Sequence, residues 1–350
     1  MKIQLWLKKF IVEKEILISL GVFGICSMLA DLLSDKGNND WAAKIRIAGI
    51  LIFILVVIID LVLKRSNNPF LIPVVFTEEK DKLISRNMFN KFVQSNKKLK
   101  DTSKILGEVS KLKQEDLIFK LDHYNPRNSA QSKDWISSWK ELLREWEIID
   151  RELMGKPFSD EGFCYHIYPH LVLPLAFALG ASVNLRRPLV LYHYQNQEKF
   201  YKVIDLKDPR EVSHKPKSAV TAPKTIPEDL NFDNGKKLIL HIVISARHVE
   251  NFQLHEDYLN AINVAIVYDK DLDPKEDWLP YVQEIVQIAK PLIHHYEDAD
   301  VCLICPSVVA FALGMAFSRR GSLKVCHYCS DGKYRPVFPL SEIESHPPFS

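Results

Sequence analysis

Five consecutive residues occur twice in this chain. Ala-Phe-Ala-Leu-Gly stands at 176–180 and again at 310–314. The identity extends past those five. At one constant offset Arg186 matches Arg320, Leu189 matches Leu323, His193-Tyr194 matches His327-Tyr328, and Lys199 matches Lys333. Val203 and Leu206 fall on Val337 and Leu340. Roughly a third of about thirty positions agree without a gap, more than shared composition supplies. A phrase repeated in this way marks one structural unit present twice.

The chain has 350 residues, 47% hydrophobic and 26% charged, with a net charge of +2. That length accommodates about two domains, or one domain built of two halves. The near-neutral balance gives no support for binding a DNA or RNA polymer, which is usually the work of a strongly basic surface.

Apolar residues are concentrated near the N-terminus. Residues 16–33 and 47–63 are nearly unbroken apolar runs, each with one carboxylate near its end, Asp31 and Asp60. Both meet the lower bound of about 17 residues for a helix that spans a bilayer. Gly37, Asn38 and Asn39 in the connector favour a turn, so the runs read as a two-pass helical hairpin. Lys2, Lys8, Lys9 and Lys14 precede it and Lys64-Arg65 follow it, which is expected to place both termini in the cytoplasm. Lys36, Lys44 and Arg46 in the connector weigh the other way. A cleaved signal peptide fits poorly, because the second run would still anchor the chain.

Beyond the hairpin the periodicity alternates strand and helix. Strands are expected at 70–76 and 117–121, an amphipathic helix at 134–153 and a third strand at 164–168. The first repeated phrase lies on the next helix, followed by a closing strand pair at 188–194 and 199–204. The second half repeats the order with strands at 238–245 and 264–268, a helix at 278–295, a strand at 301–305, the second repeated helix, and strands at 323–328 and 334–338. Apolar strands alternating with helices indicate mostly parallel sheets covered on both faces. The expected organisation is therefore α/β: a membrane hairpin over 1–67, a Rossmann-like half over 68–210, a linker over 211–237 and a second half over 238–350. The glycine of the repeated phrase is expected to allow close helix–sheet packing.

A third strand running into the AFALG helix, then an arginine, a strand ending in an aromatic, and a lysine-led closing strand resembles the SAVED domain. The resemblance covers about residues 70–340. It implies two fused CARF-like units that act as the sensor of a bacterial anti-phage signalling system of the CBASS type. Such a sensor would bind a cyclic di- or trinucleotide and self-associate. The hairpin resembles the membrane-spanning effectors found with some SAVED domains, which implies action on the lipid bilayer.

Among motifs, Cys302-x-x-Cys305 and Cys326-x-x-Cys329 have the spacing of a four-thiolate zinc site. The first repeat carries Tyr168, Leu171, Tyr192 and Gln195 at the matching positions, so the same unit forms without a metal. These cysteines therefore read as small buried side chains. His294-His295 lack partnering carboxylates at motif spacing and read as helix-end packing. No phosphate loop, G-x-S-x-G elbow or H-E-x-x-H occurs, so neither a catalytic constellation nor a cofactor site is assigned. Anion binding has better support, since ligands of open α/β sheets lie beyond the carboxyl ends of the strands. Strand one of the halves ends at Thr77 and at Ser245-Ala246-Arg247-His248. Strand three leads into Tyr168-Pro169-His170 and Cys305-Pro306-Ser307. Proline and a small hydroxyl residue at a helix start leave backbone N–H groups for an anion. Arg247 suits a phosphate, and Tyr168 or His170 a base. The candidate ligand residues are thus Thr77, Tyr168, Pro169, His170, Ser245, Arg247, His248, Pro306 and Ser307; ordinary helix capping accounts for the same residues. A membrane-anchored ring nuclease and a non-catalytic membrane scaffold remain alternatives.

Overall fold

The computed structural model describes residues 69–350 apart from 110–111, 122–125, 155–161, 184–186, 196–198, 218–222, 227–236, 247–260, 319–320 and 346–350. It also describes scattered helical positions between 28 and 50. The chain divides into two compact units, Met1–Pro69 and Phe70–Ser350. In the first, the apolar runs read as a hairpin lie largely outside the described residues. No described helix is long and apolar enough to cross a membrane.

The first half of the second unit contains β1 (Phe70–Thr77), α1 (Lys82–Gln94), α2 (Lys97–Val109), β2 (Ile118–Lys120), α3 (Ser132–Met154), β3 (Phe163–His170), α4 (Leu173–Ala181), β4 (Leu189–Gln195) and β5 (Lys199–Leu206). The linker contributes a one-turn helix at Pro209–Ser213 and a short strand, β6 (Lys224–Ile226). The second half follows with β7 (Leu238–Ile244), β8 (Ile262–Tyr268), α5 (Leu279–His295), β9 (Ala299–Ile304), α6 (Ser307–Phe317), β10 (Leu323–Tyr328), β11 (Tyr334–Pro339) and α7 (Ser341–Ser345).

Two sheets result, ordered β2-β1-β3-β4-β5 and β11-β10-β9-β7-β8-β6. In each, four strands run parallel and a last hairpin strand, β5 or β11, runs antiparallel. The internal repeat is reproduced down to an irregularity. The hairpin register shifts between Leu191 and Tyr192 in one sheet and between Val325 and Cys326, the matching residues, in the other. The linker strand β6 pairs antiparallel with β8, so the second sheet has an edge strand that the first lacks.

The repeated helices α4 and α6 are apolar around their whole circumference, which suits only a helix surrounded by protein. They pack on each other, and each also reaches strands of the opposite half. The glycines make this possible. A Cβ at Gly180 would lie 1.9 Å from the Phe311 carbonyl oxygen, and one at Gly314 would lie 2.0 Å from that of Phe177. The two contacts exchange under the repeat, as a twofold relation requires. The expectation of helix–sheet packing at these glycines is corrected accordingly: the close partner is the other repeated helix. Phe177 and Phe317 stack beside them at 6.3 Å.

Further contacts join the halves. The repeated histidines each reach across: His193 lies 4.9 Å from the Trp278 ring, and His327 lies 4.7 Å from that of Trp135. Trp139 of α3 meets Phe338 of β11 at 5.4 Å while its indole N–H donates to Ser182. One apolar core consequently runs through both halves.

Gly180→Ala and Gly314→Ala should each cost roughly 3 kcal/mol or more, because a backbone carbonyl cannot rotate away as a side chain can. Gly107→Ala in α2, whose new Cβ would meet nothing nearer than 3.8 Å, is the control and should be neutral or stabilising. Thermal melts of the three variants decide the point. A second expectation concerns pH. Burial lowers the His166 and His241 rings to about 4, and it lowers His193 and His327 in the same direction. The unfolded chain therefore binds more protons than the folded one below its ordinary imidazole value. Stability should be full above about pH 7 and fall by about a few kcal/mol in total as pH drops from 6.5 towards 4. Denaturant midpoints measured across that range test the sign.

Candidate functional site

The carboxyl ends of the parallel strands differ sharply between the two halves. In the first half they are filled. Thr77 at the end of β1 is fully buried, with its hydroxyl 3.5 Å from His170 Nδ1 and accepting the Glu79 N–H at 3.1 Å. Tyr168 is buried too. Its ring stacks on His170 at 5.6 Å and meets Phe200 edge-on at 5.0 Å, while Tyr194 stacks on Phe200 at 4.5 Å. Burial raises the Tyr168 hydroxyl well above its usual value. Thr77, Tyr168 and Pro169 are thus buried, and aromatic packing fills this edge. His170 remains exposed at the strand end.

In the second half the same edge is open. A cavity of about 410 Å³ lies there, walled by residues of both halves. The repeat explains the room. Cys302, Cys305 and Cys326 stand where the first copy has Tyr168, Leu171 and Tyr192, so thiols replace two rings and an isobutyl group. Cys305 and Cys326 form the floor with Leu303. Tyr328 and Tyr334, which match Tyr194 and Phe200, do not stack as those do. Their rings meet at 61° and 5.2 Å, and Tyr328 is left 51% exposed.

The opposite wall comes from the first half: Leu171, Val172, Leu173 and Pro174 leading into α4, and Arg127 from the turn before α3. His327 fixes that turn. Its Nε2 lies 2.8 Å from the Arg127 carbonyl oxygen, which only accepts, so Nε2 carries the proton. Burial keeps this imidazole neutral at pH 7. Arg127 Nε is 3.7 Å from Glu78 Oε2, and Glu78 Oε1 accepts the Val172 N–H at the start of α4. At α6 the matching position is Pro306, which makes no side-chain cap, and Ser307 lines the cavity. The cavity thus gathers a guanidinium, a helix start without a side-chain cap, a hydroxyl and an exposed tyrosine ring. That set can hold an anion joined to a flat apolar group.

Of the sequence-derived candidates, Ser307 lines this cavity and Pro306 adjoins it in the chain. Ser245, just past β7, donates its N–H to the Tyr268 carbonyl and is not part of the lining. Arg247 and His248 lie outside the described residues. Arg127, His327, Tyr328 and Tyr334 were missed. The repeated His-Tyr pair was the available signal for two of them, whereas Arg127 sits in a turn with no repeat to single it out. Two larger grooves, about 520 and 540 Å³, flank the edge strand β2, but both include Glu115 and Asp116, and the first adds Glu145 and Glu152. In the first, four carboxylates against Lys120 alone repel a phosphate; the second also carries Lys82, Arg86 and Lys120, and it is drawn from the first half alone. Among the described residues no group of three or more His, Cys, Asp or Glu side chains is placed to hold a metal ion.

No family model and no curated protein matches the sequence. Solved structures do show likenesses. A Cap4 SAVED/CARF-domain containing receptor of Acinetobacter baumannii with the cyclic trinucleotide 2'3'3'-cAAA aligns with a TM-score of 0.49 and 13% identity, over 89% of this chain and 61% of that one. The same kind of receptor with 3'3'3'-cAAA gives 0.46 and 15%, over 70% and 56%. A Moraxella osloensis Cap4 SAVED/CARF-domain containing receptor gives 0.39 and 16%, over 95% and 77%. The chain therefore spans less than two thirds of the first two, and likenesses with TM-scores below 0.5 do not by themselves assign a function.

Thiol chemistry tests the cavity floor. Burial pushes the Cys164 and Cys305 thiols up to about 12 and also raises those of Cys302 and Cys329; Cys164 and Cys302 are buried, whereas Cys305 and Cys329 are partly exposed. Iodoacetamide at neutral pH should therefore label Cys329 well before Cys164, Cys302 or Cys305. Peptide mass spectrometry over a time course gives the order, and early labelling of Cys305 would mean that the floor is open to solvent.

Proposed function

We propose that this chain is a membrane-anchored receptor–effector of a bacterial anti-phage system that signals through a cyclic oligonucleotide. The cavity between the halves of the doubled unit takes part of a cyclic di- or trinucleotide ring. One observation carries this reading: the repeated site is closed by aromatics in one copy and opened by thiols in the other, next to groups that suit a nucleotide. The α6 start and Ser307 would receive a phosphodiester, together with the Arg127 guanidinium. Tyr328 would stack on a base. At about 410 Å³ the cavity lies in the lower part of the ~300–1,000 Å³ range of small-molecule sites. It would admit one nucleotide and leave the rest of the ring across the rim, available to a second copy. The SAVED resemblance carried by the repeated phrase supplies the ligand class.

In this reading the ligand favours self-association because it binds the assembled form better than the free one. The apolar runs at 16–33 and 47–63, spanning the inner membrane with both termini in the cytoplasm, are then brought together and disturb the bilayer. The chain performs no chemistry on its ligand.

Titration of the purified full chain with cyclic di-, tri- and tetranucleotides, followed by calorimetry and sizing, should give saturable binding and growth in particle size with at least one of them. Tyr328→Ala should weaken binding about ten-fold or more, the value of a base–aromatic stack. Cys326→Tyr, which restores the first copy's residue, should fill the cavity and abolish binding while leaving the fold intact. Ligand recovered unchanged after long incubation separates a receptor from a degrading enzyme. If no cyclic nucleotide binds, the proposal fails.

A further inference from the structure

Glu78 sits at the cavity wall in an arrangement that the repeat does not require. It follows β1 directly, and its side chain is only 13% exposed. One carboxylate oxygen takes the Val172 N–H, and the other faces Arg127 Nε at 3.7 Å. Val172 and Arg127 both line the cavity. An amide at a helix start and a guanidinium are the groups that attract an anion, and here the protein's own carboxylate already holds them. The second half has no acid at the matching position. Thr77 pairs with His170 and Val243 with Ile304, and the repeat matches His170 to Ile304, so Ile244 stands where the first half has Glu78. The acid is therefore peculiar to the half whose arginine faces the cavity.

We infer that Glu78 is an internal competitor for the ligand's phosphate: a bound phosphate takes Arg127 from Glu78, so the site admits only ligands with enough negative charge to do so. The inference rests on the reading of the cavity as a nucleotide site. Its physical basis is the unequal burial of the pair. The Arg127 side chain is 65% exposed, so its ion pair with Glu78 is weakly held and exchanges readily. Glu78 is the more enclosed of the two and keeps its second bond to Val172. A phosphate offers the guanidinium two oxygens in matching geometry, which one oxygen at 3.7 Å does not. The carboxylate left behind repels the incoming charge. Singly charged or neutral nucleosides consequently gain little, while a ring with several phosphates prevails.

The test uses the full chain in four forms: wild type, Glu78→Gln, Arg127→Ala and the double variant. Glu78→Gln keeps an amide oxygen for the Val172 N–H, so α4 stays capped and the fold is preserved. Inorganic phosphate is titrated by thermal shift, and a cyclic tri-adenylate by calorimetry. Glu78→Gln should tighten inorganic phosphate binding about ten-fold, and the gain should vanish in the Arg127→Ala background. Equal phosphate affinity of wild type and Glu78→Gln overturns the inference, as does an equal gain with and without Arg127, or no phosphate response in any form. If the phosphate pattern appears but no form binds a cyclic nucleotide, the inference stands and the receptor reading falls.

Discussion

The contact between α4 and α6 is the constraint on which the rest of this molecule depends. Two helices that are apolar on every side can be buried only against each other and against both sheets. Their backbones meet where Gly180 faces Phe311 and Gly314 faces Phe177, closer than any side chain at the glycine positions would allow. This near-symmetric contact converts two α/β halves into one body with one core. It also sets the two sheets so that the turn before α3 and the start of α4 become a wall of the other half's strand edge. The reciprocal histidine–tryptophan contacts hold the same relation at the periphery.

Duplication gave both edges the same backbone, including the register shift in the closing hairpin. What separates them is side-chain volume. Tyr168, Tyr192, Tyr194 and Phe200 fill the first edge and engage α1 through Phe92. Cysteine at two of these positions removes two rings, and Tyr328 swings out of the stacked arrangement seen for Tyr194 and Phe200. Close-packed interiors leave few voids larger than a water molecule. A cavity of this size at a position where the sister copy is solid is therefore a feature of the sequence and not a packing accident.

Much of the fold was legible in the sequence because both signals it relies on are local. Strand and helix spans follow from period and apolar run, and 134–153 was read close to the observed Ser132–Met154. The repeat linked the halves without any structural knowledge. The short strand β6 was hidden in a polar, proline-containing stretch, where pairing with β8 and not propensity makes it a strand. The site was harder. Strand-end logic marked Thr77 and Tyr168 as readily as Ser307, because position along a strand does not say whether neighbouring rings close over it. Arg127 enters the cavity wall through a fold-level contact with His327, two hundred positions away in the chain. No window of sequence contains that information.

A shared core also limits how binding can be communicated. Halves joined by an interdigitated helix pair and one continuous apolar cluster separate only at high cost, since opening them would expose α4 and α6 to water along their lengths. Jaw-like closure of the halves on a ligand is therefore disfavoured. What a ligand can alter at low energetic cost is the rim: the exposed Tyr328 ring and the Arg127 side chain, both of which sit where an outer surface begins. A signal received in this cavity is thus best passed outward, by changing what the surface offers to another molecule. That is the behaviour the proposed reading, a sensor whose output is assembly, requires, and it follows from the same close contact at Gly180 and Gly314.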